Sequence, residues 1–148
     1  MSGYKDGEAL WLTRIQAIDG FTSANTSRGK WGILNSGENS TYVILKPGAW
    51  AREMIGLSQR LDTYQTVIQV WQRYIDDGAS MTTLEGTVDT ILTALDEYRL
   101  IGDTGNTIQD AQIVEVREMV QTPAEAPAWI YTELIGEWRE ETTVNFQE

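Results

Sequence analysis

The sequence predicts an α+β domain: a four-stranded, mainly antiparallel sheet with two main helices packed on it, in the order α-β-β-α-β-β. Three observations predict it. Between Thr82 and Arg99, Leu84, Val88, Ile91, Leu92, Leu95 and Tyr98 recur in steps of three and four, one apolar stripe of an amphipathic helix. On both sides of that helix the period drops to two, the alternation of strands. With 148 residues, 41% of them hydrophobic and six of them Trp, the chain is long enough to bury one core, so 1–148 reads as a single domain.

Taken in order, residues 1–7 are polar and glycine-containing and read as a flexible end. A first helix is predicted from Glu8 to Asp19. Trp11, Ile15 and Ile18 share one face, Leu10 and Leu12 widen it, Asp6 is the N-cap and Gly20 the stop. Residues 21–40 are rich in Gly, Ser, Asn and Thr and read as a long loop, with the basic, aromatic island Arg28-Gly-Lys-Trp-Gly-Ile-Leu34 in its middle. Thr41 to Lys46 is a β-branched strand, ended by Pro47-Gly48. Trp50 to Ser58 fits either a helical turn or an irregular crossover.

Arg60 to Ile75 reads as a long strand. Val67, Gln69, Trp71, Arg73 and Ile75 lie on one face, and Ile68, Val70, Gln72 and Tyr74 on the other. Both faces are partly apolar, which predicts a central strand. Asp76-Asp77-Gly78 is a turn into the main helix. Thr82 with Glu85 makes a capping box for that helix, and Gly102 closes it. After a loop over Gly102 to Asn106, Ile108 to Val120 is a third strand. Thr122 to Pro127 contains two prolines and breaks the ladder. Ala128 to Val144 is the fourth strand, and 145–148 is a flexible end.

Composition narrows the chemistry. The chain has no Cys and no His, which removes disulfides, thiolate and imidazole metal ligands, and every nucleophile that relies on a His base. Its 22 acidic and 11 basic residues give a net charge of −11, which repels nucleic acid and lacks the basic stripe of a DNA-binding module. No signal-peptide pattern and no long apolar run is present, so no membrane association is expected. The acid pairs Asp76-Asp77, Asp96-Glu97 and Glu140-Glu141 are neighbours whose side chains diverge, and they read as solvated surface. Asp103, Asn106 and Asp110 lack the spacing of a calcium loop. No phosphate-cradling loop occurs. No catalytic, cofactor or metal residue is therefore assigned, and an enzyme here would have to run on carboxylates, Lys, Tyr or Ser.

The aromatic and basic residues point to partners instead. Trp11, Trp71 and Trp129 are expected to face the core, with Trp138 on the opposite strand face from Trp129. Trp on both faces of a small sheet exceeds what two helices cover, and Trp is enriched in interface hot spots. The candidate partner-binding residues are Arg28, Lys30 and Trp31 in the long loop, Trp50 and Arg52 after the first strand, and Arg73 and Arg139 on later strands. The bland alternative for the two strand arginines is ordinary intramolecular ion pairing.

A helix, a long loop, YVILKPG at Tyr42 to Gly48, R-x-D-x-x-x-x-V-x-Q-V-W-x-R-Y at Arg60 to Tyr74, ILTALDEYRLIG at Ile91 to Gly102, and W-x-x-x-x-L-x-x-E-W-R at Trp129 to Arg139 make up most of the chain. This pattern resembles the tail terminator (tail completion) proteins of long-tailed bacteriophages. The resemblance is one of element order, size and texture. It implies a non-enzymatic virion protein, assembled in the host cytoplasm, that forms a homo-hexameric ring on the head-proximal end of the tail tube. It implies contacts with the tail tube protein and the head connector protein, with DNA only as cargo passing through the lumen. An acidic wall suits such a duct. The alternatives are a head-tail connector or stopper protein of the neck, and a small-molecule-binding or carboxylate-dependent α+β domain.

Overall fold

The computed structural model describes residues 3–30, 39–96, 108–121 and 129–143. Its elements are α1 (Gly3–Gln16), β1 (Thr26–Arg28), β2 (Thr41–Met54), β3 (Gln59–Arg73), α2 (Asp77–Asp96), β4 (Ile108–Val116), β5 (Val120–Gln121) and β6 (Trp129–Thr143). The expected four-stranded sheet is corrected to a six-stranded mixed sheet. Its order is β1-β2-β3-β6-β4, with β5 also on β6. β1 runs parallel to β2, and every other pair is antiparallel. The two extra strands are three and two residues long, too short to show a period, and exist because a neighbour's backbone is there to pair with.

The long strand predicted over Ile108 to Val120 divides between β4 and β5. In between, Arg117 still follows β6, donating its N–H to the Glu133 carbonyl and accepting from the Thr132 hydroxyl. β3 is central as expected, paired along its whole length with β6 and nearly all of it with β2.

Both helices pack on one face. Trp11 and Ile15 from α1, and Leu84, Val88, Ile91 and Leu95 from α2, join Val43, Leu45, Tyr64, Ile68, Val70, Ala111, Ile130, Leu134 and Trp138 in one core. The α2 stripe is the one its spacing predicts, up to the end of the described helix. Tyr98 and Gly102 lie outside the described residues. Where α2 begins is a correction. Asp76 is the N-cap, its Oδ1 accepting from the Ala79 N–H at 2.7 Å. Ser80 Oγ reaches back to accept from the Ile75 and Asp76 N–H groups. Asp76-Asp77-Gly78 is thus the start of the helix, not a separate turn, and Thr82 and Glu85 are exposed within it.

α1 also starts early, at Gly3, because Tyr4, Glu8, Trp11 and Ile15 continue one sheet-facing stripe. Asp6 lies inside the helix backbone, not at its cap.

The opposite face carries Tyr42, Ile44, Val67, Gln69, Trp71, Trp129, Tyr131 and Ile135. Trp71 stacks on its cross-strand partner Tyr131 at 4.3 Å. Among the described residues no helix covers this face. The expected sides of the tryptophans are therefore exchanged: Trp138 faces the helices and is fully buried, while Trp71 and Trp129 face away from them. Alternation fixes which residues share a face, not which face receives the helices.

Candidate interaction surface

Pro47-Gly48, expected to end the first strand, instead bends it. Val43 donates its N–H outward to Asn25, and the Leu45 carbonyl accepts from Gly29 on the same outer edge. By alternation Pro47 also points its missing N–H outward, so the ladder to β3 loses nothing. Two residues later the register shifts: Pro47 pairs with Thr66 but Trp50 with Tyr64, so Gly48 and Ala49 oppose Gln65 alone. Glycine is required at the bulge because a Cβ on Gly48 would sit 2.9 Å from the Gln65 carbonyl oxygen. The extra residue flips the strand. Before it, odd-numbered residues of β2 face the helices; after it, Trp50, Arg52 and Met54 do.

The flip brings Trp50 and Arg52 onto the same side as Arg60, Asp62 and Tyr64 of β3 and Trp138 and Glu140 of β6. Arg52, Asp62 and Glu140 lie in one cross-strand row. Asp62 is fully buried and accepts three donors: Trp50 Nε1 at 3.3 Å and Arg52 Nε at 3.1 Å on Oδ1, and Arg60 Nε at 3.0 Å on Oδ2. The Arg52 guanidinium also lies over the Trp50 ring, 4.6 Å from its centroid.

In the next row Trp50 stacks on Tyr64 at 5.2 Å, and Tyr64 on Trp138 at 5.6 Å. Tyr4 of α1 closes this stack edge-on, and its hydroxyl donates to the Gly48 carbonyl at 2.8 Å. Trp11 fits over Gly136, where any Cβ would fall inside its ring. The result is a stiff plate at one end of the sheet. Beyond it the β2–β3 hairpin ends in Met54, Ile55 and Leu57, and Leu57 is 97% exposed.

Three groups here have displaced acidities. Burial raises the Tyr64 pKa, reinforced by the Asp62 and Glu140 carboxylates and only partly opposed by Arg52 and Arg60, so its hydroxyl stays protonated. That hydroxyl is buried without a hydrogen-bond partner among the described residues. Burial likewise raises Tyr4, with Glu8 adding to the effect. Glu8 sits fully buried in the sheet-facing stripe of α1. Burial raises its pKa, and Arg28, whose Nε donates to Oε1 at 2.9 Å, pulls it back in part.

The residues singled out from the sequence are dispersed. Trp50 and Arg52 meet in the plate. Arg28 ends β1 and is engaged by Glu8, while Lys30 is exposed one residue past the positive-φ Gly29. Trp31 lies outside the described residues. Arg73 is at the far end of β3, with Nη2 donating to the Asn39 carbonyl at 3.4 Å and its guanidinium 5.4 Å from the Trp129 ring. Arg139 is on the face away from the helices, beside Glu137 at 3.8 Å.

Sequence reasoning missed Asp62, Arg60, Tyr4 and Leu57. Arg60-x-Asp62-x-Tyr64 against Trp50-x-Arg52 was the available signal, but their shared face depends on the bulge. Among the acid pairs, Asp76 caps a helix and Asp96 is exposed as expected, and Glu97 lies outside the described residues. Glu140 is corrected: it is 1% exposed beside Asp62.

Asp62 and Glu140 do not line the three clefts that lie between Ile18 and α2, beside β4–β5, and past the end of β3. Among the described residues no group of three or more acidic side chains is placed to hold a metal ion, and no helix is long and apolar enough to cross a membrane. No protein-family model matches the chain, and neither does any curated protein.

Proposed function

We propose that this protein is a structural, non-enzymatic virion component that caps the head-proximal end of a long-tailed phage's tail tube as a homo-hexameric ring, ends tube growth and forms the joint to the head connector. The sequence resemblance over Tyr42 to Gly48, Arg60 to Tyr74, Ile91 to Gly102 and Trp129 to Arg139 supplies the identity of the partners. The observation that carries the reading is the plate of Trp50, Arg52, Arg60 and Asp62 under an exposed apolar hairpin tip. Half-exposed Trp and Arg, locked in place by a buried carboxylate, lose little freedom on docking, and these residue types dominate protein interfaces. The net charge of −11 suits a wall past which DNA slides.

The test is tail-tube polymerisation with and without the protein, read by electron microscopy. Tubes of limited length bearing one ring at a single end are expected. Tubes that grow unchanged and carry no density overturn the reading. Binding to isolated neck complexes but never to tube ends reassigns the protein to the head side of the joint.

A further inference from the structure

The molecule carries a second apolar feature at the other end of its central strand. Tyr74, Met81, Met119, Val120, Gln121 and Ile130 line a cleft of about 220 Å³ just past the last residue of β3. Its rim is exposed: Val120 is 44% accessible, Met81 36%, and neighbouring Ile75 76%. The β2–β3 hairpin tip, with Met54 at 50%, Ile55 at 43% and Leu57 at 97%, precedes the first residue of β3. One end of the strand presents a protruding apolar plug and the other a socket. The socket exceeds the roughly 150 Å³ that accommodates a benzene-sized group, so an aliphatic side chain fits.

We infer that the hairpin tip of one copy of this chain, with Leu57 as its lead residue, seats in the Tyr74–Met81–Val120 socket of the next. A second copy is the occupant for two reasons. Plug and socket are chemically complementary and belong to the same chain. They are separated by the 15 residues of β3, roughly 50 Å of extended backbone, so the tip cannot reach its own socket. Features at opposite ends of one element can meet head to tail, in a closed ring or an open chain, or reciprocally in an antiparallel two-fold dimer, and the ring reading selects the head-to-tail contact. The plate anchors the base of the hairpin that carries the plug. This contact deepens the ring reading and rests on it for closure.

The natural chain has no Cys, so single cysteines report contacts without background. Leu57→Cys is mixed with Val120→Cys or with Met81→Cys and oxidised. Leu57→Cys with Val114→Cys, exposed but outside the socket, is the control. Covalent heterodimers from either socket pair, absent from the control and from Leu57→Cys alone, are expected. Leu57→Ala is expected to raise the concentration at which assembly occurs about tenfold or more. Rings that form normally yet yield neither socket cross-link overturn this contact and leave the ring reading standing. Socket cross-links in open chains or in two-fold dimers that never cap tube ends keep the contact and remove the ring reading. Monomers without cross-links at any concentration overturn the contact.

Discussion

Replacing Asp62 with Asn keeps its size but removes the charge on which Trp50, Arg52 and Arg60 converge. The amide oxygen can still accept from Trp50 and Arg52, while the amide nitrogen turns a donor toward the Arg60 Nε–H, which now donates to Oδ2 at 3.0 Å. At least one charge-assisted bond is lost, worth about 1.5–3 kcal/mol. Breaking a fully buried pair costs more, about 3–5 kcal/mol, but here only the carboxylate is fully buried. The Arg60 and Arg52 side chains are 18% and 48% exposed and regain water, which pulls the expected loss down to about 2 kcal/mol.

For a chain of this length that corresponds to a fall in Tm of about 6 °C. Thermal unfolding by circular dichroism measures it. A second arm uses Trp50→Phe, which keeps an aromatic ring, smaller than the indole, against Tyr64 and deletes the indole N–H. The two substitutions should couple by about 0.5 kcal/mol or more, since the amide oxygen accepts the Trp50 N–H without the negative charge that strengthens that bond in the parent. A Tm within a degree or two of the parent, or strict additivity in the cycle, would refute the idea that Asp62 pins the plate.

Other consequences are equally direct. Glu8 holds its proton more tightly folded than unfolded, so its contribution to stability is full below the ordinary value of 4.5 and is lost as pH rises through the raised value. Glu8→Gln removes that titration. The stability of the parent relative to the variant should therefore fall as pH rises from about 4, measured by denaturant unfolding across pH, and a flat or rising difference would be the wrong sign. Gly136→Ala drives a methyl group into the Trp11 ring and should destabilise by about 3 kcal/mol, with loss of near-ultraviolet dichroism from the Trp11–Trp138 pair. Asp76→Ala removes the cap of α2 and should cost about 1 kcal/mol in urea unfolding, whereas Thr82→Ala, mid-helix and exposed, should cost little.

The parts of this fold legible in the sequence are those specified by their own periodicity. The stripe Leu84-Val88-Ile91-Leu95 located α2, and the two-sided apolar pattern of Val67 to Val70 marked β3 as central, because a strand buried on both faces needs apolar residues on both. What escaped depends on partners distant in sequence. β1 is three residues held by the edge of β2, and β5 is two residues held by β6. Pro47-Gly48 has the composition of a stop, and only the outward position of the Pro47 nitrogen lets the strand continue.

The same bulge hid the plate. Trp50 and Arg52 stood out by residue type, but counting parity from Thr41 without the bulge sends them to the face opposite the one they occupy. Asp62 consequently had no visible partners, and Glu140, beside Glu141 in sequence, looked like solvated surface when its neighbour in space is Asp62. Tyr4, in a short polar stretch, gave no sign that it closes the aromatic stack from the first turn of α1.

Self-association into a closed ring is the central claim, and absolute mass in solution tests it most directly. Light scattering over a wide concentration range, with and without purified tail tubes, is expected to find a discrete species of about 100 kDa, the mass of a hexamer of 16.7 kDa chains, and to lose it from solution as tube ends are capped. A single species near 16.7 kDa at every concentration, left undepleted by tubes, would contradict it.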